Sequence, residues 1–540
     1  MNCHVPPFKG MGYSDFYLDF VAGREKALSF FSARSLEAVP QELFQVDYDR
    51  ETLADILKEQ NLRYGASEKT LANIELLRNE HALCVFTGQQ AGLFTGPLLV
   101  LMKALGVIKA AQEYSQQLKR QIIPVFWIAG DDHDFEEANH TYLVDRQGEI
   151  VKVEYATPPD KPIPTSDVQF ADREQLDAAK AAVIETLGET DFTPELYDII
   201  DKSYSGEDTL VDSFGKIMSV LCGQFGLVLF SPGDQSAKRL AIPFFKRLVE
   251  RLDDIRSSIV DTNQRLTANG YHIQVEKPDN STHLFCNLDG RLPVLRNNGS
   301  FEIGERSLST DELLAMIEEK PELFSPDVMT RPVMQSYLFP VLSQKGGPAE
   351  IAYLAQMNGL FSIFDLATPY YKARPTATIV ERRFKEQIDF HHIAFRELAG
   401  DVEQIINRVL ALTFPGDVEK GFVILKGDID YHLDSFTQDA LGFDKNLTKF
   451  AEQTRGKIEF ALKNLEAKAF ASHKKRSNDT RQKIYRLYNT LYTCRGLQER
   501  ALNVVYFLSK YGMQFMPWLY DRLQSEISDH QMIDMTEYQF

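Results

Sequence analysis

Two loops in the first third of the chain carry residues that could do chemistry, and each follows a run of apolar residues. The first loop, residues 87–97, reads Thr-Gly-Gln-Gln-Ala-Gly-Leu-Phe-Thr-Gly-Pro. The second loop, residues 130–140, reads Gly-Asp-Asp-His-Asp-Phe-Glu-Glu-Ala-Asn-His. Glycine lets a backbone approach a ligand, amides offer neutral hydrogen bonds, and carboxylates with imidazole hold cations or exchange protons. Both loops are therefore candidate ligand-binding sites.

The first loop could bind the oxygens of an anion. Its glycines would bring main-chain N–H groups close to the ligand, and its threonine and glutamine side chains would add hydrogen bonds. The candidate residues are Thr87, Gly88, Gln89, Gln90, Gly92, Thr95 and Gly96. The spacing matches neither the dinucleotide-binding pattern G-x-G-x-x-G nor the phosphate-binding loop G-x-x-x-x-G-K-[ST]. A glycine turn can be a simple tight connection, but the two adjacent amides favour binding.

The second loop has three interpretations. In a polar substrate site, the carboxylates would hold an ammonium group and His133 would exchange a proton. In a metal-dependent hydrolase, the loop would ligate a divalent ion through Asp132, His133, Asp134 and His140. In the third interpretation, the acids only favour the positive end of a helix dipole. The substrate site is favoured, with catalytic candidates Asp131, Asp132, His133 and Asp134 and a binding role for His140.

Two later loops follow apolar runs in the same way. The candidate binding residues in and after them are Ser231, Asp234, Lys345, Gly346, Gly347, Glu350 and Tyr353. The repeated order of buried strand, polar loop and helix predicts an α/β core with a parallel sheet. Ligands bind such sheets at the carboxyl ends of the strands, so we expect all four loops to face one crevice.

The chain divides into a core and a helical arm. Its 540 residues exceed what one compact core usually holds. We predict the core over residues 1–379, with insertions near 141–205 and 255–330, and the arm over 380–540. Apolar residues recur at helical spacing over 384–409 and at near-heptad spacing over 443–468. Two long helices sharing that seam predict an antiparallel coiled coil that could also join two copies of the chain.

A last helix, starting near Leu497, is expected to pack back on the core. Its apolar face carries Leu502 and Val505, while Glu499, Asn503, Tyr506 and Lys510 share the opposite face. That polar stripe has two interpretations. It is either a solvated edge or an accessory nucleotide pocket, in which Lys510 meets a phosphate and Tyr506 stacks on a base beside Asn503.

Composition excludes several classes of function. The formal net charge of -18 repels nucleic acid and anionic lipid. No apolar run approaches the length of a membrane span, and the first residues do not resemble a secretory signal. The five cysteines are far apart and form no Cys-x-x-Cys pair, which argues against a disulfide framework or a thiolate metal site. We expect a protein of the cytoplasm.

Five stretches resemble one known family, that of the bacillithiol-biosynthesis cysteine ligases, BshC. They are residues 87–97, 124–140, 338–340, 346–356 and 497–503, and the likeness covers nearly the whole chain. The resemblance implies a Rossmann-like core related to nucleotidyltransferases and class I aminoacyl-tRNA synthetases. It also implies two connecting insertions and a coiled-coil arm used in homodimerisation.

The resemblance implies an activity as well. The family joins the carboxyl of cysteine to the amine of glucosaminyl-malate, which requires an activated acyl group, and ATP or another nucleotide is the expected activator. Mg²⁺ is a candidate companion, and no tightly bound metal is expected. Asp131, Asp132 or Glu350 would hold an ammonium, and His133 or Asp134 would take the proton of the attacking amine.

Phosphate or carboxylate oxygens would lie against the glycine turns, Gln89, Gln90 and Lys345. The chain departs from the synthetase pattern because Gln89 and Gln90 stand where His-x-Gly-His is expected, and no Lys-Met-Ser-Lys-Ser loop is present. Adenylyl and phosphoryl transfer therefore both stay open. The metal-dependent hydrolase and a non-enzymatic coiled-coil scaffold are the alternatives.

Overall fold

The computed structural model describes residues 12–36, 43, 46–444, 446–526 and 528–538. The chain forms two compact units, Met1–Val380 together with Gly496–Phe540, and Glu381–Arg495. Residues 496–540 belong to the first unit. They were predicted as the part of the arm that packs back on the core. Cys3 lies outside the described residues, and Cys84, Cys222, Cys286 and Cys494 are free thiols.

The strands carry the two sheets and the two ribbons of the first unit. They are β1 (Leu83–Gln89), β2 (Ile122–Ile128), β3 (His140–Val144), β4 (Ile150–Glu154), β5 (Val228–Phe230), β6 (Ser281–Asn287), β7 (Arg291–Asn297), β8 (Ser300–Ile303), β9 (Arg306–Leu308), β10 (Phe324–Pro326), β11 (Val341–Gly346), β12 (Tyr370–Ala373), β13 (Ala377–Val380) and β14 (Gln531–Asp534).

The α-helices surround these strands or form the second unit. They are α1 (Asp15–Val21), α2 (Glu25–Leu28), α3 (Arg50–Arg63), α4 (Glu68–Leu76), α5 (Leu99–Leu118), α6 (Phe135–Ala138), α7 (Arg173–Leu187), α8 (Thr193–Ser203), α9 (Leu210–Cys222), α10 (Gln235–Leu240), α11 (Ile242–Glu250), α12 (Leu252–Ala268), α13 (Thr310–Glu319), α14 (Arg331–Leu338), α15 (Pro348–Gln356), α16 (Leu360–Ile363), α17 (Arg382–His391), α18 (Val402–Leu412), α19 (Gly416–Leu441), α20 (Leu447–Arg476), α21 (Asn478–Leu491), α22 (Gln498–Ala501), α23 (Val505–Tyr511) and α24 (Phe515–Arg522).

A five-stranded parallel sheet forms the centre of the first unit, in the order β12-β11-β1-β2-β5. The chain leaves β1, crosses through α5 and returns as β2, so β2 and β5 extend the sheet on one side. The later strands β11 and β12 extend it on the other side, so the strand order reverses beside β1. The predicted parallel α/β core is confirmed.

The central sheet separates two apolar clusters because neighbouring residues of a strand point to opposite faces. Val85 packs in one cluster, and Cys84 and Phe86 pack in the other. In β2, Phe126 lies in the first cluster and Trp127 in the second. Both faces of the central sheet are therefore covered by apolar side chains. Polar side chains of the sheet can reach a ligand only at the ends of the strands.

The segments between the sheet strands carry smaller β structures. A hairpin of β3 and β4, followed by α7 and α8, lies within the first predicted insertion. An antiparallel sheet in the order β10-β6-β7-β8-β9 lies within the second. The parallel pair β13 and β14 joins the end of the core sequence to the chain's last strand.

The second unit is helical, but its long helices differ from those predicted. The stretch 384–409 is not one helix, since α17, a 3₁₀ turn (Phe395–Ala399) and α18 share it. The partner of α20 is α19, which the sequence analysis did not predict. In the predicted seam of α20, Ile458 is half-buried, whereas Phe450 and Leu465 are exposed. No described helix is long and apolar enough to cross a membrane.

Candidate active site

A cavity of about 480 Å³ lies at the carboxyl ends of β1, β2 and β11, where the strand order reverses. This is the position at which open α/β sheets bind ligands. The predicted residues that line it are Gly88, Gln89, Gln90, Gly92, Asp132, His140, Gly347, Glu350 and Tyr353. The cavity therefore brings together parts of three of the four predicted loops.

One wall of the cavity is acidic. The Gln90 amide donates to Asp132 Oδ2 at 2.8 Å, so the first loop orients a carboxylate of the second. Glu137 lines the same wall. Partial burial, together with the charges of Asp134 and Asp132, raises the pKa of the Glu137 carboxyl. Two carboxylates beside a cavity can hold a substrate cation.

His140 lines the cavity with one ring nitrogen free. Its Nδ1 lies 2.8 Å from the Glu136 carbonyl oxygen and 3.1 Å from Asn139 Oδ1. A carbonyl only accepts, so Nδ1 carries the proton and Nε2 keeps its lone pair. Nε2 makes no hydrogen bond with a described residue. This imidazole can therefore accept a proton.

A buried ion pair forms the floor. Lys103 of α5 is 3% exposed; its Nζ lies 3.0 Å from Glu350 and donates to the Gly88 carbonyl and Gln89 Oε1 at 2.8 Å each. Burial lowers the pKa of Lys103, and Glu350 partly opposes that shift. Burial also disfavours the Glu350 charge, but Lys103 and the Gly347 N–H outweigh it and lower the Glu350 pKa. Lys103 thereby connects the end of β1 to the start of α15.

The remaining wall is cationic and consists of Arg331, Arg374 and Arg500. Arg331 Nη2 donates to the Tyr353 hydroxyl at 3.1 Å. Arg374 is 3% exposed. Arg500 is exposed, and its side chain makes no hydrogen bond or ion pair with a described residue. Guanidinium groups match carboxylate and phosphate oxygens, so this wall can bind an anion.

Asp131 and Asp134 do not fit the predicted catalytic roles. Asp131 Oδ1 lies 2.6 Å from Lys238 Nζ in an ion pair whose side chains are 13% and 3% exposed. Asp134 caps α6 by accepting from the Glu137 N–H. Both carboxylates are thus engaged by the protein, and neither lines the cavity.

His133 also lies outside the cavity lining. Its Nδ1 is 3.5 Å from Arg291 Nη1, and its side chain is 43% exposed. Arg291 stacks on the Phe285 ring at 3.9 Å from the ring centre. The predicted base therefore stands beside a guanidinium on the outer side of the loop.

The loop with Ser231 and Asp234 is covered, contrary to the prediction. Residues 165–167 form a turn against it, since a Cβ on Gly233 would lie 2.7 Å from the Ser166 side chain. The Thr165 and Ser166 N–H groups donate to the Asp132 and Gly130 carbonyls and so hold this turn in place. Ser231 is 3% exposed, and Asp234 caps α10. The first insertion thus covers the loop after β5, and the cavity described above lies on the other side of β2.

Lys345 cannot reach a ligand in the cavity. It is 1% exposed, and its Nζ donates to the Ser525 carbonyl at 2.9 Å. Burial lowers the Lys345 pKa to about 8. Its neighbour Gln344 lines the cavity instead, because adjacent residues of β11 point to opposite faces. The prediction of a phosphate contact from Lys345 is therefore wrong.

Most of the predicted glycines and threonines serve the backbone. A Cβ on Gly92 would lie 2.7 Å from the Gly96 Cα, so these two glycines permit a close chain crossing. The Gly96 N–H donates to the Leu93 carbonyl. Buried side chains at Thr87 and Thr95 bond to backbone carbonyls. Gly346 ends β11, and the Gly347 N–H donates to Glu350 at 2.6 Å. These glycines do not present a row of free N–H groups to an anion.

The accessory nucleotide pocket is absent at the residues proposed for it, all of which are described. Asn503 is 0% exposed, and its amide donates to the Phe94 and Gly96 carbonyls and to Thr141 Oγ1. Tyr506 is 1% exposed, and Lys510 Nζ lies 3.5 Å from its ring centre. A base cannot stack on a ring that is covered in this way. The predicted single helix is also wrong, since residues 502–504 separate α22 from α23. Glu499, Asn503 and Tyr506 of its predicted polar face are buried.

The metal interpretation of the second loop loses its ligand set. Asp134 caps a helix, His133 and His140 lie in different surroundings, and no group of three suitable side chains among the described residues could hold a metal ion.

A larger groove, of about 800 Å³, lies away from the strand ends. Its lining includes Tyr48, Arg247, Phe364 and Asp365. Arg247 is already paired with Asp365 and stacked on the Phe364 ring. Groups capable of binding and proton transfer converge in the smaller cavity instead.

Comparison with known proteins identifies the family. Residues 1–375 match the model described as "Bacillithiol biosynthesis BshC, N-terminal Rossmann-like domain", and residues 377–535 match "Bacillithiol biosynthesis BshC, C-terminal coiled-coil domain". The chain belongs to the BshC family. The two matches together cover both units of this BshC chain.

Three BshC relatives carry the name "Putative cysteine ligase BshC". The protein of Koribacter versatilis is 32% identical over 512 residues, which are 94% of each chain. That of Geobacillus thermodenitrificans is 34% identical over 480 residues, 87% of each chain. That of Salinibacter ruber is 30% identical over 541 residues, 98% of each chain.

Sequence reasoning missed several lining residues of this BshC chain, namely Lys103, Glu137, Arg331, Gln344, Arg374 and Arg500. Only Lys103 carried a usable signal, since it is the sole charge among the apolar residues 98–108. A lone charge in an apolar stretch is buried with a partner, and that partner marks a site. The arginines lie on separate elements and are brought together only by folding.

Proposed function

We propose that the chain is a ligase that joins the carboxyl of cysteine to the amine of glucosaminyl-malate, and that the reaction takes place in the cavity at β1, β2 and β11. The observation that carries the proposal is the pairing, in one cavity, of an acidic wall with a free imidazole nitrogen and a cationic wall. A ligase of these substrates needs that combination, because they carry both ammonium and carboxylate groups. The relatives' name, "Putative cysteine ligase BshC", supports ligation of cysteine, and the family's description places it in bacillithiol biosynthesis.

The acidic wall is assigned to the cysteine ammonium. Asp132, which is oriented by Gln90, and Glu137 would hold it. Glu350 is not available for this role because Lys103 neutralises it. The cationic wall is assigned to substrate oxygens, with the partner-free guanidinium of Arg500 beside Arg331. The acidic wall would thus hold the ammonium group of cysteine, and the cationic wall would hold the anionic groups of the substrates.

His140 is assigned the role of general base. The amine of glucosaminyl-malate must be neutral to attack, and Nε2 of His140 would take a proton from it as the carbon-nitrogen bond forms. The Glu136 carbonyl and Asn139 hold Nδ1–H and so fix the tautomer. This assignment replaces His133, which stands outside the lining.

The activating group is proposed to be ATP, with Mg²⁺ as its companion. When bound, the nucleotide supplies the phosphoryl or adenylyl group that turns a carboxylate oxygen of cysteine into a leaving group. Arg331, Arg374 and Arg500 fit phosphate oxygens, and the buried Lys345 does not. Choosing between adenylyl and phosphoryl transfer requires the nucleotide product, AMP or ADP, to be identified.

The proposal is tested by mixing purified protein with cysteine, glucosaminyl-malate, Mg²⁺ and one of ATP, GTP or CTP, and following bacillithiol by mass. We expect product with ATP, no product without a donor, and one AMP or ADP per product. No product with any donor, under conditions in which a BshC relative is active, would refute the ligase and favour the scaffold.

We also propose that the chain works as a homodimer joined through α19 and α20. Support comes from the large apolar side chains that this helical pair leaves exposed, among them Val423, Phe436, Phe450 and Phe460 at 61–70% exposure. Exposed apolar patches of this kind mark association surfaces. The free thiols support a reducing compartment, and we assign the enzyme to the cytoplasm.

A further inference from the structure

We propose that Glu499 is a positioning residue that holds the Arg374 guanidinium against the cavity, so that Arg374 can bind a carboxylate or phosphate of the substrate; this inference rests on the proposed function. Glu499 lies in α22 and is 0% exposed. Its Oε1 accepts from Arg374 Nη2 and from Thr376 Oγ1, each at 2.8 Å. Its Oε2 accepts from the Ala377 N–H at 3.0 Å.

Arg374 has donors left over for a ligand. A guanidinium carries five N–H donors. Arg374 uses one on Glu499 and one on the Pro375 carbonyl, at 2.8 Å each. A buried guanidinium with free donors beside a cavity binds an anion strongly, because little water competes. The Glu499 carboxylate offsets the free-energy cost of burying the Arg374 cation and fixes the orientation of the planar guanidinium group.

His530 completes the arrangement from the opposite side. Its Nδ1 lies 2.8 Å from Thr376 Oγ1, and its Nε2 lies 2.8 Å from Thr378 Oγ1. The Thr376 hydroxyl hydrogen points to Glu499, because a carboxylate only accepts, so Thr376 accepts Nδ1–H. Burial lowers the His530 pKa to about 4, so at neutral pH the ring is neutral and Nε2 accepts from the Thr378 hydroxyl. Because the His530 ring is neutral, it does not compete with Arg374 for the negative charge of Glu499.

The next residue along the chain provides a matched control. Gln498 is also 0% exposed. Its amide donates to the Ile379 carbonyl at 3.0 Å and accepts from the Ile379 N–H at 2.8 Å. Gln498 therefore docks the same helical turn onto β13 without touching Arg374. A purely structural role of Glu499 predicts that the two residues behave alike.

The test compares Glu499→Gln, Gln498→Met, Arg374→Lys and the double variant Glu499→Gln, Arg374→Lys in the ligase assay, with thermal unfolding of each. We expect Glu499→Gln and Arg374→Lys each to raise the KM for glucosaminyl-malate about tenfold or more with a smaller change in kcat. The double variant should be no worse than the poorer single variant, since the two residues act as one unit. Gln498→Met should lower Tm and leave KM unchanged.

Parallel changes of KM and Tm in Glu499→Gln and Gln498→Met would overturn the inference, as would unchanged KM values for both glucosaminyl-malate and ATP in Arg374→Lys. If the wild-type protein makes no product, the proposed function fails, and calorimetric titration with L-malate then decides the positioning claim alone. Binding by the wild type that weakens about tenfold in Glu499→Gln but not in Gln498→Met supports it. No binding by the wild type, or equal weakening in both variants, overturns it.

Discussion

At the scale of single residues, Asp131 and Asp132 show how far neighbours can differ. Asp131 faces a buried lysine, whereas Asp132 faces the cavity and the Gln90 amide. The side chain of Asp132 is 41% exposed, against 13% for Asp131. In the sequence both are carboxylates of one loop and equally good candidates for binding. In the structure Asp131 forms a buried ion pair that stabilises the fold, whereas Asp132 is accessible to a ligand.

This difference predicts opposite results for two matched substitutions. Asp131→Asn leaves the Lys238 ammonium buried without its charge partner, so we expect a loss of about 3–5 kcal/mol in the free energy of unfolding. Asp132→Asn should cost less, about 1 kcal/mol, because the partly buried Arg291, 4.0 Å from Asp132, keeps the charge of Asp131 and its hydrogen bond to the Pro326 carbonyl. Urea titrations of both variants test this. Equal stability losses would show that the Asp131–Lys238 pair does not hold the loop.

Part of the site could be predicted from the sequence, but which residues of β11 face the cavity could not. Gln89 and Gln90 stand at the end of one buried strand, and the loop with Asp132 and His140 follows the next, which is enough to place them at the sheet edge. Whether Gln344 or Lys345 faces the cavity depends on one residue of register in β11, since a shift of one residue exchanges the two faces. The apolar run before them, buried on both faces, carries no alternation from which that register could be read.

At the scale of elements, the chain's last strand holds a pH-sensitive contact. His530 precedes β14 and bonds through both ring nitrogens to Thr376 and Thr378 beside and within β13. Burial lowers the pKa of this histidine from 6.5 to about 4. Between these two values the unfolded chain takes up a proton that the folded chain does not. Stability is therefore complete above pH 6.5 and is lost as the pH falls toward 4.

We expect this histidine to account for about 2 kcal/mol of the stability lost between pH 7 and pH 5, because each pH unit between 6.5 and 5 costs roughly 1.4 kcal/mol. The measurement is the free energy of unfolding at pH 7 and pH 5 for the wild type, His530→Gln and His272→Gln. His272 is exposed and serves as the control. The His530 variant should lose less stability on acidification than the other two proteins. An identical pH dependence in all three would contradict the buried neutral ring.

The coiled-coil helices show why the pairing of elements was harder to predict than their existence. Apolar spacing identified helix within 384–409 and in α20, but α19 contains Gly421 and Gly427 and was not predicted. Glycine lowers helix propensity, and the charged residues around α19 hide its apolar stripe. The half-buried residues Phe422, Ile429 and Leu433 of α19 nevertheless follow a seven- and four-residue spacing. Packing against α20 outweighs the weak propensity.

At the scale of the whole molecule, the exposed apolar residues of α19 predict a dimer that single substitutions can break. A charge at Phe436, which is 61% exposed, would be desolvated at the proposed interface. We expect Phe436→Glu to raise the dimer dissociation constant at least tenfold, as measured by sedimentation. Phe390→Glu is the control, since Phe390 is 77% exposed but lies on α17. A monomeric wild type, or equal effects of both substitutions, would exclude this interface.

The fold class as a whole was predictable because its signals are repeated along the chain. Strand, polar loop and helix recur for β1, β2, β5 and β11, and a parallel α/β core is the only common architecture with that order. The covering of the loop after β5 was not predictable. This covering depends on the position at which residues 165–167 of the first insertion pack, and that position is set by tertiary contacts and not by the local sequence.

The most direct test of the central claim, that the chemistry takes place in the cavity at β1, β2 and β11, is the rate of bacillithiol formation in His140→Gln compared with His133→Gln. The two histidines belong to one loop, but only His140 lines the cavity. At saturating substrates, loss of a general base should lower kcat of His140→Gln by about 10²-fold or more. His133→Gln should stay within about twofold of the wild type, with Tm unchanged in both. A full rate in His140→Gln with a large loss in His133→Gln would contradict the account and move the reaction to the outer side of the loop.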